Sequence, residues 1–216
     1  MRIYDIDPGA VAKLSQKCSE LGAAYRKDLK ADDAAIAAAV GRLRAGSDLA
    51  EAVQGADLVI EAVPESVAVK RRLYEALSVV APRTTIFAAN SSTLLPSVLA
   101  QFTDRPERFL ALHFASRVWR NNIAEVMRHS GTDDTTFDSV IAFAERIGMV
   151  PIALHKEQPG YACALRCRAK SRRPMPNTRD AGVLPKSKPG VAGERRFAPD
   201  RRSRRFVRTI ETGYLL

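Results

Sequence analysis

The sequence predicts an α/β fold, a doubly wound and mostly parallel sheet, and two observations carry that prediction. Short apolar runs of strand length alternate with segments whose apolar residues recur at helical spacing, the mark of repeated βαβ units. The run from Leu58 to Val63 is apolar almost throughout, as in strands covered by helices on both faces.

Each element has its own local reason. MRIYD is a short first strand broken at Asp7-Pro8, where Asp caps a helix and Pro occupies its first turn. Val11, Leu14, Cys18 and Leu21 then recur at helical spacing and Gly22 offers an end. Ile36, Ala39, Val40 and Leu43 repeat the pattern after Asp32-Asp33, so two helices are expected over residues 8 to 44. A helix over 66 to 80 should follow the strand at Leu58. Thr85 to Asn90 and Arg108 to Phe114 read as strands, with LLPSVLAQF a short helix between them. Ile123 to Met127 is a further strand. Phe137, Val140, Ile141, Ala144 and Ile147 make a helical stripe closed by Gly148, and Val150 to Leu154 is the last strand.

The chain has 216 residues, 46% hydrophobic and 27% charged, which gives room for one domain with a sizeable core and excludes a wholly disordered chain. No run approaches the length of a membrane span, and the start lacks a signal-peptide pattern, so the cytoplasm is the expected address. The net charge of +10 is not spread evenly. Residues 162 to 216 hold 15 Lys and Arg against 4 Asp and Glu, while residues 1 to 161 hold 19 against 20. From Ala162 on, Arg pairs and five prolines replace any lasting apolar period, which reads as a disordered tail over 162–216. Such a tail can neutralise phosphates, but Phe197, Phe206 and Tyr214 make no stacking motif, so nonspecific electrostatics is its limit. Cys18, Cys163 and Cys167 form no disulfide framework, and Cys163 and Cys167 with His155 match no common zinc spacing. No metal is expected.

The strings YDID, DLVIEAVPE, NSST, LHF, IAEVM, IGMVP and KEQPGY, in this order over residues 2 to 161, resemble the NAD-binding Rossmann-like domain of L-3-hydroxyacyl-CoA dehydrogenases, including the bacterial 3-hydroxybutyryl-CoA dehydrogenases. The resemblance implies NAD-dependent oxidation of a 3-hydroxyacyl-CoA to the 3-ketoacyl-CoA in fatty acid metabolism. It makes Asp5 the acid that accepts the adenosine ribose hydroxyls; without the resemblance, Asp5 reads as a polar strand end. It brings Glu65 and Lys70 near the nicotinamide half of NAD, where spacing alone gives an exposed i,i+5 pair. Asn90 and Ser116 belong by the same resemblance to the cofactor side. His113 becomes the base for the hydroxyl proton, Glu125 holds its tautomer and stabilises the imidazolium, and Ser92 hydrogen-bonds the substrate oxygen. A lone His at a strand end is otherwise a satisfied structural residue. Trp119 and His129 read as packing or surface residues, and the basic residues at 70 to 72 as a helix face near the CoA phosphates or in solvent.

Three departures set further expectations. The family places a strand and a G-x-G-x-x-G turn before its ribose-binding acid, and this sequence has no such turn and begins four residues before Asp5. A sheet lacking its central first strand, weak or absent NAD binding and marginal stability are therefore expected. After Tyr161 the family continues into a helical domain that closes over substrate and builds the dimer, whereas the Arg-rich segment follows here. That junction suggests a reading-frame change or a broken gene, and with it the loss of the family dimer surface. Third, Ser116 stands where the family usually carries Asn, which shortens that contact. A catalytically defective fragment and a basic-tailed binding protein are the alternative readings.

Overall fold

The computed structural model describes residues 1–158 and 160 and, as backbone, the strand Phe206–Ile210. The elements run β1 (Arg2–Tyr4), α1 (Pro8–Ala12), α2 (Leu14–Leu29), α3 (Asp33–Gly41), β2 (Arg44–Gly46), α4 (Leu49–Val53), β3 (Leu58–Ala62), α5 (Val67–Val80), β4 (Ile86–Ala89), α6 (Pro96–Ala100), β5 (Phe109–Phe114), β6 (Ile123–Met127), α7 (Asp134–Arg146), β7 (Val150–Leu154) and β8 (Phe206–Ile210). Three of the helices are capped by an aspartate side chain. Asp7, Asp32 and Asp48 accept the N–H of Gly9, Ala35 and Glu51 at 2.8, 2.6 and 3.0 Å.

Among the described residues the strands form one sheet in the order β2-β1-β8-β3-β4-β5-β6-β7. Every neighbouring pair is parallel except β5 and β6. Strand β3 is buried at all five positions, as the unbroken apolar run requires. On one face Val59, Phe87, Ala89 and Phe109 pack with Ala52, Val53, Tyr74, Leu77 and Leu99 of α4, α5 and α6. On the other, Ile60, Ala88, Leu110, Leu112 and Val126 meet Phe137, Val140, Phe143 and Ala144 of α7. Helices thus cover both faces, and the α/β, mostly parallel, doubly wound expectation holds.

The structure corrects the boundaries in three places. Residues 8 to 44 hold three helices rather than two, with a break at Lys13, and a strand begins at Arg44. Gly22 does not end a helix: α2 runs on to Leu29 and stops where Lys30 takes the left-handed conformation, φ 56°. Gly22 serves close packing, since a Cβ there would lie 3.1 Å from Ile36 Cγ2. Strand β2 and helix α4, too short for a periodic signal, were not anticipated.

The position between β1 and β3 is the one where the central first strand was expected to be missing. Phe206–Ile210 occupies it, parallel to both neighbours, with Val207 opposite Arg2 and Val59, Arg208 opposite Ile3 and Ile60, and Thr209 opposite Tyr4 and Glu61. An open gap would leave two rows of backbone N–H and C=O groups unpaired, and a five-residue strand satisfies both rows at once. These five residues are the part of 162–216 that the structure describes, as backbone. The remainder of 162–216, with Cys163, Cys167, Phe197 and Tyr214, lies outside the described residues, as does Tyr161.

Candidate active site

The parallel strands end on a common edge, and most of the residues singled out by the sequence gather there. Two cavities open along it. The first, about 280 Å³, lies beyond β1 and beside α5, lined by Tyr4, Asp5, Ile6, Leu49, Val63 and Leu73 among others. The second, about 310 Å³, is lined by Ala62, Val63, Glu65, Asn90, Ser92, His113, Phe114 and Ser116. Val63 lines both, so the two cavities meet where β3 ends.

Asp5 follows β1 and is 7% exposed. Its carboxylate accepts the N–H of Asp7 at 2.9 Å, folding the chain toward the cap of α1. Burial pushes its carboxyl above the usual aspartate range.

His113 and Glu125 are directly opposite one another across the antiparallel pair β5 and β6. His113 Nδ1 stands 3.9 Å from Glu125 Oε2, an electrostatic rather than hydrogen-bonding separation, with the carboxylate buried and the ring partly open to the second cavity. Burial lowers the imidazole from its ordinary 6.5 to about 4, although the Glu65 charge pulls the other way. The ring is therefore neutral at pH 7 and able to accept a proton.

Glu65 organises the loop that carries Ser92. Its Oε1 accepts the Ser91 hydroxyl, the N–H of Ser92 at 3.1 Å, the N–H and hydroxyl of Thr93 at 2.8 Å each, and the N–H of Leu94 at 3.3 Å. Burial raises the Glu65 carboxyl, but hydrogen bonds from Ser91 and Thr93 and the Lys70 charge outweigh it and hold the group at about 2. Lys70 is neither an exposed partner of Glu65 nor part of a solvated face. It is 1% exposed, with Nζ 2.6 Å from Glu61 Oε1, 3.4 Å from Val63 O and 3.4 Å from Glu65 Oε2.

Asn90 ties three strand ends together: its N–H donates to Glu61 O at 2.8 Å and its Oδ1 accepts the Phe114 N–H at 3.1 Å. Ser116 lines the second cavity, and its carbonyl accepts from Asn121 Nδ2 at 2.7 Å in a loop where Arg117 is left-handed at φ 56°. Trp119 anchors this loop. Its indole N–H donates to Asp28 Oδ2 at 2.7 Å and its ring lies 5.5 Å from that of Tyr25, while Arg120 Nε reaches the same carboxylate oxygen at 2.7 Å. Arg120 and Trp119 hold the Asp28 carboxyl well below the usual range. His129 is structural, set between Pro106 O and Gly131 N–H.

Sequence reasoning missed Ser91, Thr93, Glu61 and Asp28. The NSST run was a signal for the first two, since clustered hydroxyls after a strand commonly hydrogen-bond nearby groups. Glu61 inside an apolar run was a signal for a buried pair. Among the described residues no three His, Cys, Asp or Glu side chains are placed to hold a metal ion, and no helix is long and apolar enough to cross a membrane.

Comparison with known proteins places these features in context. Residues 1–158 match the family model described as 3-hydroxyacyl-CoA dehydrogenase, NAD binding domain. The mitochondrial hydroxyacyl-coenzyme A dehydrogenase of Homo sapiens is 34% identical over 137 residues, 63% of this chain and 43% of that protein. A probable 3-hydroxybutyryl-CoA dehydrogenase of Bacillus subtilis is 30% identical over 161 residues, 74% of this chain and 55% of its own length. The chain thus spans about half the length of the curated relatives it matches. A solved diketoreductase, described by its dual catalysis of dicarbonyl compounds, superposes with a TM-score of 0.72 at 50% identity, covering 74% of this chain and 57% of that one. The (S)-3-hydroxybutyryl-CoA dehydrogenase of Ralstonia eutropha superposes with a TM-score of 0.69 at 28% identity, covering 74% and 56%.

Proposed function

The chain belongs to the family of 3-hydroxyacyl-CoA dehydrogenase NAD-binding domains, and on that premise we propose that its second cavity is the reacting centre of an NAD-dependent oxidation of 3-hydroxyacyl-CoA to 3-ketoacyl-CoA. The observation that carries this reading is the neutral, partly buried His113 facing Glu125 across β5 and β6 at the wall of that cavity.

The residues fit a dinucleotide. The first cavity offers an apolar slot with Asp5 at its mouth for the ribose hydroxyls, and Val63 links it to the second cavity, where the other half would lie beside Glu65, Asn90 and Ser116. Lys70 contributes through Glu65, since its ammonium is already engaged with Glu61. Affinity in this reading rests on these side chains. NAD, when bound, supplies the hydride acceptor.

Within that cavity His113 accepts the hydroxyl proton of the substrate, through the ring nitrogen that does not face Glu125. The Glu125 carboxylate favours the tautomer with its proton on Nδ1 and stabilises the imidazolium that forms. Ser92, on the loop gathered by Glu65, donates to the substrate oxygen. Ser116 gives a short contact on the opposite wall.

A second reading concerns the substrate alone. The 50% identity to a diketoreductase favours a small dicarbonyl compound reduced at the same carbon. Incubating the purified chain with NADH and either acetoacetyl-CoA or a small diketo ester, and following NADH absorbance, separates the two. Turnover of the thioester supports the acyl-CoA reading, turnover of the ester alone supports the second, and turnover of neither rejects both.

A further inference from the structure

We propose that Glu61 is a positioning residue for the loop of Ser91 to Leu94, acting through Lys70 and Glu65. This deepens the proposed function, on which its bearing on chemistry rests, because the same loop carries Ser92 to the second cavity.

Glu61 lies in the middle of the sheet, fully buried on β3 opposite Ala89 of β4. Both of its carboxylate oxygens are engaged. Oε1 takes Lys70 Nζ at 2.6 Å and the Val63 N–H at 2.8 Å, and Oε2 takes the Tyr74 hydroxyl at 2.9 Å. Burial outweighs the opposing pull of Lys70, Tyr74 and the Val63 N–H, so the Glu61 carboxyl lies above its ordinary range, and its place is fixed by these three hydrogen bonds.

Lys70 is held from the opposite side. An ammonium has three N–H donors, and here three oxygens surround it: Glu61 Oε1, Val63 O and Glu65 Oε2. That third contact divides the work of Glu65 between its two oxygens. Oε2 is drawn inward to Lys70, which turns Oε1 to the hydroxyls and amides of residues 91 to 94. Glu65 is itself 35% exposed, and without the inward pull its flexible side chain has solvent to turn toward. A buried charge pair is a poor device for stability alone, since apolar residues of the same volume do as well or better. Its value here lies in fixing one carboxylate, which fixes four consecutive residues of a loop.

The test is amide hydrogen exchange read by NMR on the full chain, in wild type, Glu61→Gln, Tyr74→Phe and Thr85→Val. Thr85→Val is the control, because it removes a buried hydrogen bond to Ala56 O on the same sheet without touching the relay. Glu61→Gln removes the charge that anchors Lys70 against β3, so its pull on Glu65 Oε2 is no longer fixed in place, and exchange at Ser92, Thr93 and Leu94 speeds by about tenfold relative to β3 and β4. Tyr74→Phe gives a smaller change at the same amides and decides the matter if Glu61→Gln does not fold. Acceleration spread evenly over the sheet, or none at residues 92 to 94 beyond that in Thr85→Val, overturns the proposal. The readout needs neither cofactor nor turnover, so its failure leaves the proposed activity standing, and an inactive chain leaves the amide result standing.

Discussion

Acidification from pH 7 to pH 5 weakens the folded chain by about 2 kcal/mol through His113 alone. Burial holds the folded imidazole at about 4, while the unfolded chain titrates near the ordinary 6.5. Between those values the unfolded chain binds a proton that the folded chain refuses, so stability falls as pH falls through that window. The slope approaches about 1.4 kcal/mol per pH unit in mid-window and vanishes above pH 7. Glu65 acts lower: its folded value of about 2 against an ordinary 4.5 gives stability that is lost below pH 4.5. Urea unfolding, followed by the fluorescence of the single tryptophan, Trp119, against Tyr25, measures the effect at pH 7, 6 and 5. His113→Gln removes the titration, so its stability should fall less than that of wild type by the stated amount. Equal losses in the two proteins would refute the assignment of a desolvated, neutral His113. The same neutrality is what lets the ring take a proton at pH 7.

Other substitutions probe separate parts of the account. His113→Gln should lower turnover by about 100-fold to 10,000-fold while leaving NADH binding within error, as expected for loss of acid–base help; equal loss of binding would point to a collapsed cavity. Lys70→Met leaves Glu61 buried without its cation and should cost about 3 to 5 kcal/mol in urea unfolding, against less than about 1 kcal/mol for an exposed pair. Val207→Pro removes a ladder donor and strains a strand paired on both sides, so the urea midpoint should drop by an amount equivalent to about 3 kcal/mol, and no drop would remove β8 from the sheet.

Much of the fold was legible because burial on both faces leaves a long apolar run. β3, β5 and β6 were found within a residue of their ends for that reason, and α7 by its apolar stripe. What escaped depends on partners distant in sequence. Gly22 looks like a helix end, yet its missing side chain makes room for Ile36 in the next helix. β2 is three residues with a glycine, and FVRTI is five residues within an Arg-rich stretch; each is a strand only because a neighbour needs pairing. At the site, the places of Asp5 and His113 near strand ends were legible in the sequence, whereas Glu125, in the middle of β6, was singled out through the family resemblance. Their distances were not, and neither was the burial of Lys70. An i,i+5 spacing on the surface says nothing of Glu61, nine residues earlier on a strand behind the helix.

NADH fluorescence titration of the full chain, in wild type and Asp5→Ala, tests the central claim most directly. If the two cavities that meet at Val63 hold the dinucleotide, wild type binds saturably and Asp5→Ala weakens it about tenfold. No saturation in wild type, or an unchanged Kd in Asp5→Ala, would contradict the account.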